Sequence, residues 1–84
     1  MSQEDLLPRV RRVLKEHGRL SDDADTLGIQ SDLYEAGMTS HASVNVMLAL
    51  ENEFDIEFPD QMLRRNIFGN IESIVSAVAT LTKN

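Results

Sequence analysis

Ser40 is the side chain in this sequence best placed for covalent chemistry. It opens the run Ser40-His41-Ala42-Ser43-Val44-Asn45-Val46-Met47-Leu48-Ala49-Leu50, straight after Asp32-Leu33-Tyr34-Glu35-Ala36-Gly37-Met38-Thr39. If that run is a helix, the Ser40 hydroxyl lies beside backbone amides with no intrahelical partner and at the positive end of the macrodipole, where an esterified phosphate is favoured. The same spot suits a plain N-cap, filled by Ser40 or Thr39, and spacing leaves both readings open. Other combinations fall short. Asp23, Asp25 and Gly28 imitate positions 1, 3 and 6 of a calcium loop, but Leu27 and Tyr34 stand where oxygen ligands are needed. His17 and His41 have neither the spacing nor the thiolates of a zinc site. A catalytic Ser40-His41 pair is unattractive too, because neighbours at a helix start diverge and no strand-turn frame surrounds them.

The elements that must position Ser40 can be read from apolar spacing. Leu6, Leu7, Val10, Val13 and Leu14 recur at helical intervals while Arg9, Arg11, Arg12 and Lys15 project elsewhere, which predicts a first amphipathic helix closed by Gly18. Pro8 is compatible if Asp5 is the N-cap, so that the missing amide falls among the first four orphan donors. From Arg19 to Thr39 the chain is too rich in Ser, Asp and Gly for regular structure, and Leu20, Leu27, Ile29, Leu33 and Tyr34 are expected to pin it as a tethered loop.

A second helix is predicted from Ser40 to about Glu53. Met47, Leu50 and Phe54 form its inward stripe, while Val44 and Leu48 sit to one side, either under the loop or as an apolar docking spot. Phe54 to Pro59 reads as an extended connector with its aromatics turned inward. Asp60 caps a short helix through Arg65, and Asn70 caps a last one carrying Ile71, Ile74, Val75, Val78 and Leu81. Leu6, Val10, Val13, Met47, Leu50, Phe54, Phe58, Ile74 and Val78 should share one core.

Composition narrows the function. Eighty-four residues suit one small domain, residues 1–84, with too little core for a roomy internal active site. No cysteine is present, so any thiol chemistry must be imported, and a reducing cytoplasm is suited. No run approaches a membrane span, and the acidic first residues lack the pattern of a signal peptide. Net charge is −6, and Leu20 to Leu63 holds ten acids without one Lys or Arg. Nucleic acid is therefore disfavoured as a partner, and docking on cationic protein surfaces is favoured.

The stretch Asp32-Leu33 through Gly37 to Ser40, followed by Val44 to Asp60, resembles the acyl carrier and peptidyl carrier family. The resemblance implies an all-α fold: a four-helix bundle of acyl-carrier-protein type, with a short third helix and a long loop between helices 1 and 2. It also implies that the chain is a carrier and not an enzyme. Ser40 would receive covalent 4'-phosphopantetheine from a phosphopantetheinyl transferase, and the arm's thiol would hold an acyl or aminoacyl thioester for a downstream acceptor enzyme, with the carrier acting as a monomer.

Two departures stand out. The family's Asp-Ser-Leu is here Thr39-Ser40-His41, and the third helix, acidic in fatty acid carriers, reads Asp60-Gln61-Met62-Leu63-Arg64-Arg65. The second is similar to carriers loaded by amino acid:carrier protein ligases related to seryl-tRNA synthetases, which implies a small amino acid as cargo. Thr39, His41, Val44, Leu48, Met62, Arg64 and Arg65 are the residues expected to meet partners. A fatty acid or polyketide carrier is the alternative within the family. An unmodified helical interaction module, with Ser40 a mere cap, is the alternative outside it.

Overall fold

The computed structural model describes residues 3–21, 23–62 and 65–82. Three α-helices, α1 (Gln3–His17), α2 (Ser40–Phe54) and α3 (Ile71–Thr82), alternate with turns, and two 3₁₀ turns, Asp60–Met62 and Arg65–Phe68, lie between α2 and α3. No strand occurs among the described residues. α1 packs against both α2 and α3, so it forms the spine of the bundle.

α1 presents Leu6, Val10, Val13 and Leu14 to the core, as its periodicity requires. It already runs from Gln3, which places Pro8 inside the helix and not among the orphan donors that a cap at Asp5 would give. The ring therefore removes one intrahelical hydrogen bond. α3 buries Ile71, Ile74, Val75, Ala77 and Val78 on one side, and Asn70 Oδ1 accepts from Ser73 N at 2.8 Å, the cap expected there.

α2 turns Leu50 and Phe54 inward as predicted, but Val46 takes the inward place expected of Met47. Its buried ladder is Ala42, Val46, Leu50 and Phe54, and Met47 is only half-buried at the margin of the core. The helix ends where Asp55 turns left-handed at φ 54° and Ile56 N donates to the Glu51 carbonyl. Phe58 turns inward from the connector and meets Phe68 edge to face, with ring centroids 5.5 Å apart. The short helix expected over Asp60 to Arg65 is not an α-helix in the described residues: a 3₁₀ turn stands at Asp60–Met62 and a second at Arg65–Phe68. One-turn segments form too few i to i−4 bonds to be driven into the α form.

Candidate functional site

Ser40 is the first residue of α2, and its side chain is exposed. The cap is Thr39, whose extended backbone lets Oγ1 accept from Ala42 N at 3.0 Å, so the two readings of the Thr39-Ser40 pair separate. Ser40 contributes its carbonyl, which accepts from Ser43 Oγ at 2.6 Å, while its hydroxyl makes no hydrogen bond among the described residues. No acidic side chain stands in the first turn of α2. An exposed hydroxyl beside helix-start amides, with the capping work done by its neighbour, fits a phosphodiester linkage.

The segment before Ser40 is held from several sides. Asp32 Oδ1 accepts from Tyr34 N at 2.9 Å and Glu35 N at 3.4 Å, and Met38 N donates to the Leu33 carbonyl, giving a compact turn. Leu33 is fully buried and its N–H donates to the Gly69 carbonyl at 2.8 Å, while the Ile29 carbonyl accepts from Glu72 N at 2.9 Å. Arg11 reaches from α1 to the carbonyls of Ala24 and Leu27, each at 2.7 Å. Gly37 sits at φ +115° with Ser21 so close that an added Cβ would lie 2.7 Å from its Oγ, and Ser21 N donates to the Ala36 carbonyl. Buried Met38 then plugs the core one residue before Thr39. Of the residues expected to pin this loop, Ile29 is an exception, since its side chain is exposed and only its carbonyl anchors.

His41, Val44 and Leu48 are exposed on α2 beyond Ser40, so the open question about Val44 and Leu48 is answered: the loop does not cover them. Leu48 also lines an open groove between α1 and α2 with Asn45 and Asn52 and with the charged side chains of Arg12, Glu16 and Glu53. Met62 is partly buried and packs against the edge of the core. Arg65 opens the second 3₁₀ turn, and Arg64 lies outside the described residues.

At the far end of α2, Glu53 accepts from Arg9 Nε at 2.9 Å and Arg12 at 2.8 Å, and Arg9 also donates to the Glu53 carbonyl and lies 4.4 Å over the Phe54 ring. The hydrogen bond from Arg9, then that from Arg12 with the charge of both, holds the Glu53 carboxyl below its ordinary value of 4.5, against the opposing effect of burial. No group of three or more His, Cys, Asp or Glu side chains able to hold a metal ion occurs among the described residues, the imitation calcium loop included. Sequence reasoning had no role for Arg9, Arg11 or the Asp32 carboxylate; the Asp32-x-Tyr34 spacing of a side-chain turn was the available signal for the last.

Comparison with known proteins agrees with this geometry. Residues 4–79 match the family described as phosphopantetheine attachment site. Over 69 residues the chain is 45% identical to an aminoacyl carrier protein of Agrobacterium fabrum, a match spanning 82% of this chain and 83% of that one. Its fold superposes with TM-score 0.87 at 41% identity on a chain from a crystal structure of engineered Bradyrhizobium japonicum glycine:[carrier protein] ligase complexed with carrier protein from Agrobacterium tumefaciens and ATP, covering 90% of this chain and 99% of that one. The corresponding AMP complex gives TM-score 0.83 at 43% identity over 86% and 96% of the two chains. The chain belongs to the phosphopantetheine-attachment carrier family. It is a carrier protein and not an enzyme, and it is homologous to an aminoacyl carrier protein.

Proposed function

We propose that residues 1–84 form one carrier domain that bears phosphopantetheine on Ser40 and receives a small amino acid from an amino acid:carrier protein ligase. The single observation that carries the attachment site is the division of labour at the start of α2, where Thr39 caps and Ser40 leaves an exposed hydroxyl with no intramolecular partner among the described residues. When bound, the arm supplies a terminal thiol that holds cargo as a thioester, chemistry this cysteine-free chain lacks. The chain's own part is to present Ser40 on a braced segment and to offer partners a recognisable surface. The nearby free amides of α2 favour the phosphodiester. We read the 3₁₀ turns Asp60–Met62 and Arg65–Phe68 as the counterpart of the family's short third helix, which makes the domain a bundle of the acyl-carrier type.

Likeness to a protein named aminoacyl carrier protein, and to a carrier chain crystallised with a glycine:[carrier protein] ligase, favours an aminoacyl over a fatty acyl cargo. The transferase would meet Thr39 and His41, and the ligase Val44 and Leu48, with Met62, Arg64 and Arg65 as further partner residues. A downstream acceptor enzyme then takes the amino acid, and the carrier acts as a cytoplasmic monomer. Co-expression with a broad phosphopantetheinyl transferase should add one arm, mapped to Ser40 by peptide mass spectrometry and absent from Ser40→Ala. Incubation of that product with ligase, ATP and glycine should then add one aminoacyl mass. An unmodified Ser40, or an arm persisting in Ser40→Ala, overturns the attachment site. Loading with fatty acyl groups and not with amino acids overturns the cargo.

A further inference from the structure

The loop that leads to Ser40 is held on two sides. Its second half is tied beside the start of α3, where Leu33 N donates to the Gly69 carbonyl and Glu72 N to the Ile29 carbonyl. Its first half is tied to α1, chiefly by one side chain. Half-buried Arg11 directs a single nitrogen, Nη1, at the carbonyls of Ala24 and Leu27, each at 2.7 Å. The turn that presents them is built locally: the Asp23 carbonyl accepts from Thr26 N at 3.0 Å and Leu27 N at 3.2 Å, and Asp23 Oδ1 accepts from Asp25 N at 2.9 Å. The turn thus meets the needs of its own amides and leaves two carbonyls converging on one point, which a charged donor from α1 fills. Lys15 adds an ion pair to Asp25 at 3.1 Å, but both side chains are more than half exposed, so it contributes little.

We propose that Arg11 is a positioning residue for the modification of Ser40: by holding the 24–27 turn on α1, it keeps the segment that carries Ser40 in the conformation a phosphopantetheinyl transferase accepts. The route from one to the other is short. Ser21, three residues before Ala24, donates its N–H to the Ala36 carbonyl at 2.7 Å, and Gly37 passes close against Ser21 at φ +115°. Buried Met38, the capping Thr39 and then Ser40 follow directly. Without the guanidinium, the Ala24 and Leu27 carbonyls lose their donor and the turn must leave α1 to find water. Ser21 then no longer fixes Ala36 and Gly37, and the approach to Ser40 opens for part of the time while the core stays formed. Lysine is a poor substitute, because its amine stands one bond nearer the backbone than Nη1 and lacks the planar fork. The proposal rests on the carrier reading above, which supplies the reaction and gives Arg11 no part in it.

The test uses the full-length unmodified chain with coenzyme A and a broad phosphopantetheinyl transferase, measuring kcat and KM for the carrier. If the accepted conformation is populated about one time in ten, apparent affinity falls about tenfold while the bound complex reacts as before. Arg11→Ala is therefore expected to raise KM about tenfold with kcat within about twofold of wild type, and Arg11→Lys to raise KM at least about threefold. Amide exchange at Ser21 should quicken about tenfold in Arg11→Ala, with that of Leu50 in α2 unchanged. Val78→Ala is the control for plain destabilisation: it truncates a fully buried side chain of α3 that makes none of these ties, and its KM should stay within about twofold of wild type. If circular dichroism shows that Arg11→Ala does not fold, Arg11→Lys decides the matter alone. Wild-type kinetics in Arg11→Lys overturn the proposal, since charge and not the brace would then be what matters. A rise in KM as large in Val78→Ala as in the Arg11 variants overturns it too. A wild-type chain that takes up no arm overturns the attachment-site reading, and this proposal with it.

Discussion

Leu48 and Leu50 stand two residues apart on one helix, yet Leu48 is half-exposed while Leu50 has no accessible surface. The contrast extends along α2 as two ladders with a four-residue step. Ala42, Val46, Leu50 and Phe54 face the core; Ser40, Val44 and Leu48 face outward. An offset of two residues is about 200° of rotation in an α-helix, so the ladders lie on opposite sides. One helix thus holds the fold with one face and leaves the other exposed, and Thr39 caps its start. A substitution on the inner ladder should therefore be read in stability, and one on the outer ladder in modification or docking.

The largest effect is expected at Phe54. Its ring closes the inner ladder beneath the Arg9 guanidinium, so Phe54→Ala removes a core side chain and a cation–π interaction together. A loss of about 3 to 5 kcal/mol is expected, enough to unfold much of so small a domain. Urea denaturation followed by circular dichroism measures it, and wild-type stability would show that α2 does not turn the Ala42, Val46, Leu50 and Phe54 ladder toward the core.

How much of this was legible depended on contrast between neighbouring residues. In α1 and α3 polar side chains mark the outer face clearly, and Leu6, Val10, Val13, Ile74 and Val78 were placed in the core from spacing alone and are buried. In α2 the run Val46-Met47-Leu48-Ala49-Leu50 is apolar throughout, so the period is poorly defined, and Met47 was put where Val46 belongs. Ser40 was legible as a helix start, but whether it or Thr39 capped could not be decided without geometry. Gly37 was recognisable as a break; its positive φ and the close approach of Ser21 depend on the folded loop. Arg9 and Arg11 were expected merely to project away from the core, because a one-dimensional pattern does not reveal partners as distant in sequence as Glu53 and Ala24.

Thr39 and Ser40 give the next contrast, between adjacent residues. Thr39→Ala removes the acceptor for Ala42 N and should cost about 1 kcal/mol in the same urea assay. Ser40→Ala touches no cap and should stay within about 0.5 kcal/mol of wild type, while its phosphopantetheinylation is lost. If the two costs are exchanged, Ser40 is the structural residue and the site assignment weakens with it.

Glu53 links the end of α2 to α1 by a half-buried double ion pair, expected to be worth about 0.5 to 1 kcal/mol. Its folded-state carboxyl titrates below the ordinary value of 4.5, so the unfolded chain takes up the proton first as pH falls. This stabilisation is therefore fully present above 4.5 and is lost as pH drops from there through the lowered folded value. Glu53→Gln cannot titrate. The difference in melting temperature between wild type and Glu53→Gln should be constant above about pH 5.5 and shrink below 4.5. A gap that widens with acid would mean that the two arginines do not stabilise the carboxylate.

The smallest stability effect is expected at Leu48, and it is the direct counterpart of Leu50. Leu50→Ala should cost about 2 to 5 kcal/mol, because the truncated methyl groups leave a cavity among Val46, Phe54 and the helices packed on them. Leu48→Ala leaves no cavity, since its outer half already meets water. The apolar packing that its inner half gives up is partly offset by the higher helix propensity of alanine, about 0.2 kcal/mol in such positions. A net change within about 0.5 kcal/mol is expected, read as an unchanged urea midpoint with an unchanged slope. Combined with weakened loading, that result separates a surface kept for partners from one kept for the fold. Equal losses at Leu48 and Leu50 would instead mean that another segment of the chain covers the outer face, and docking there would have to displace it.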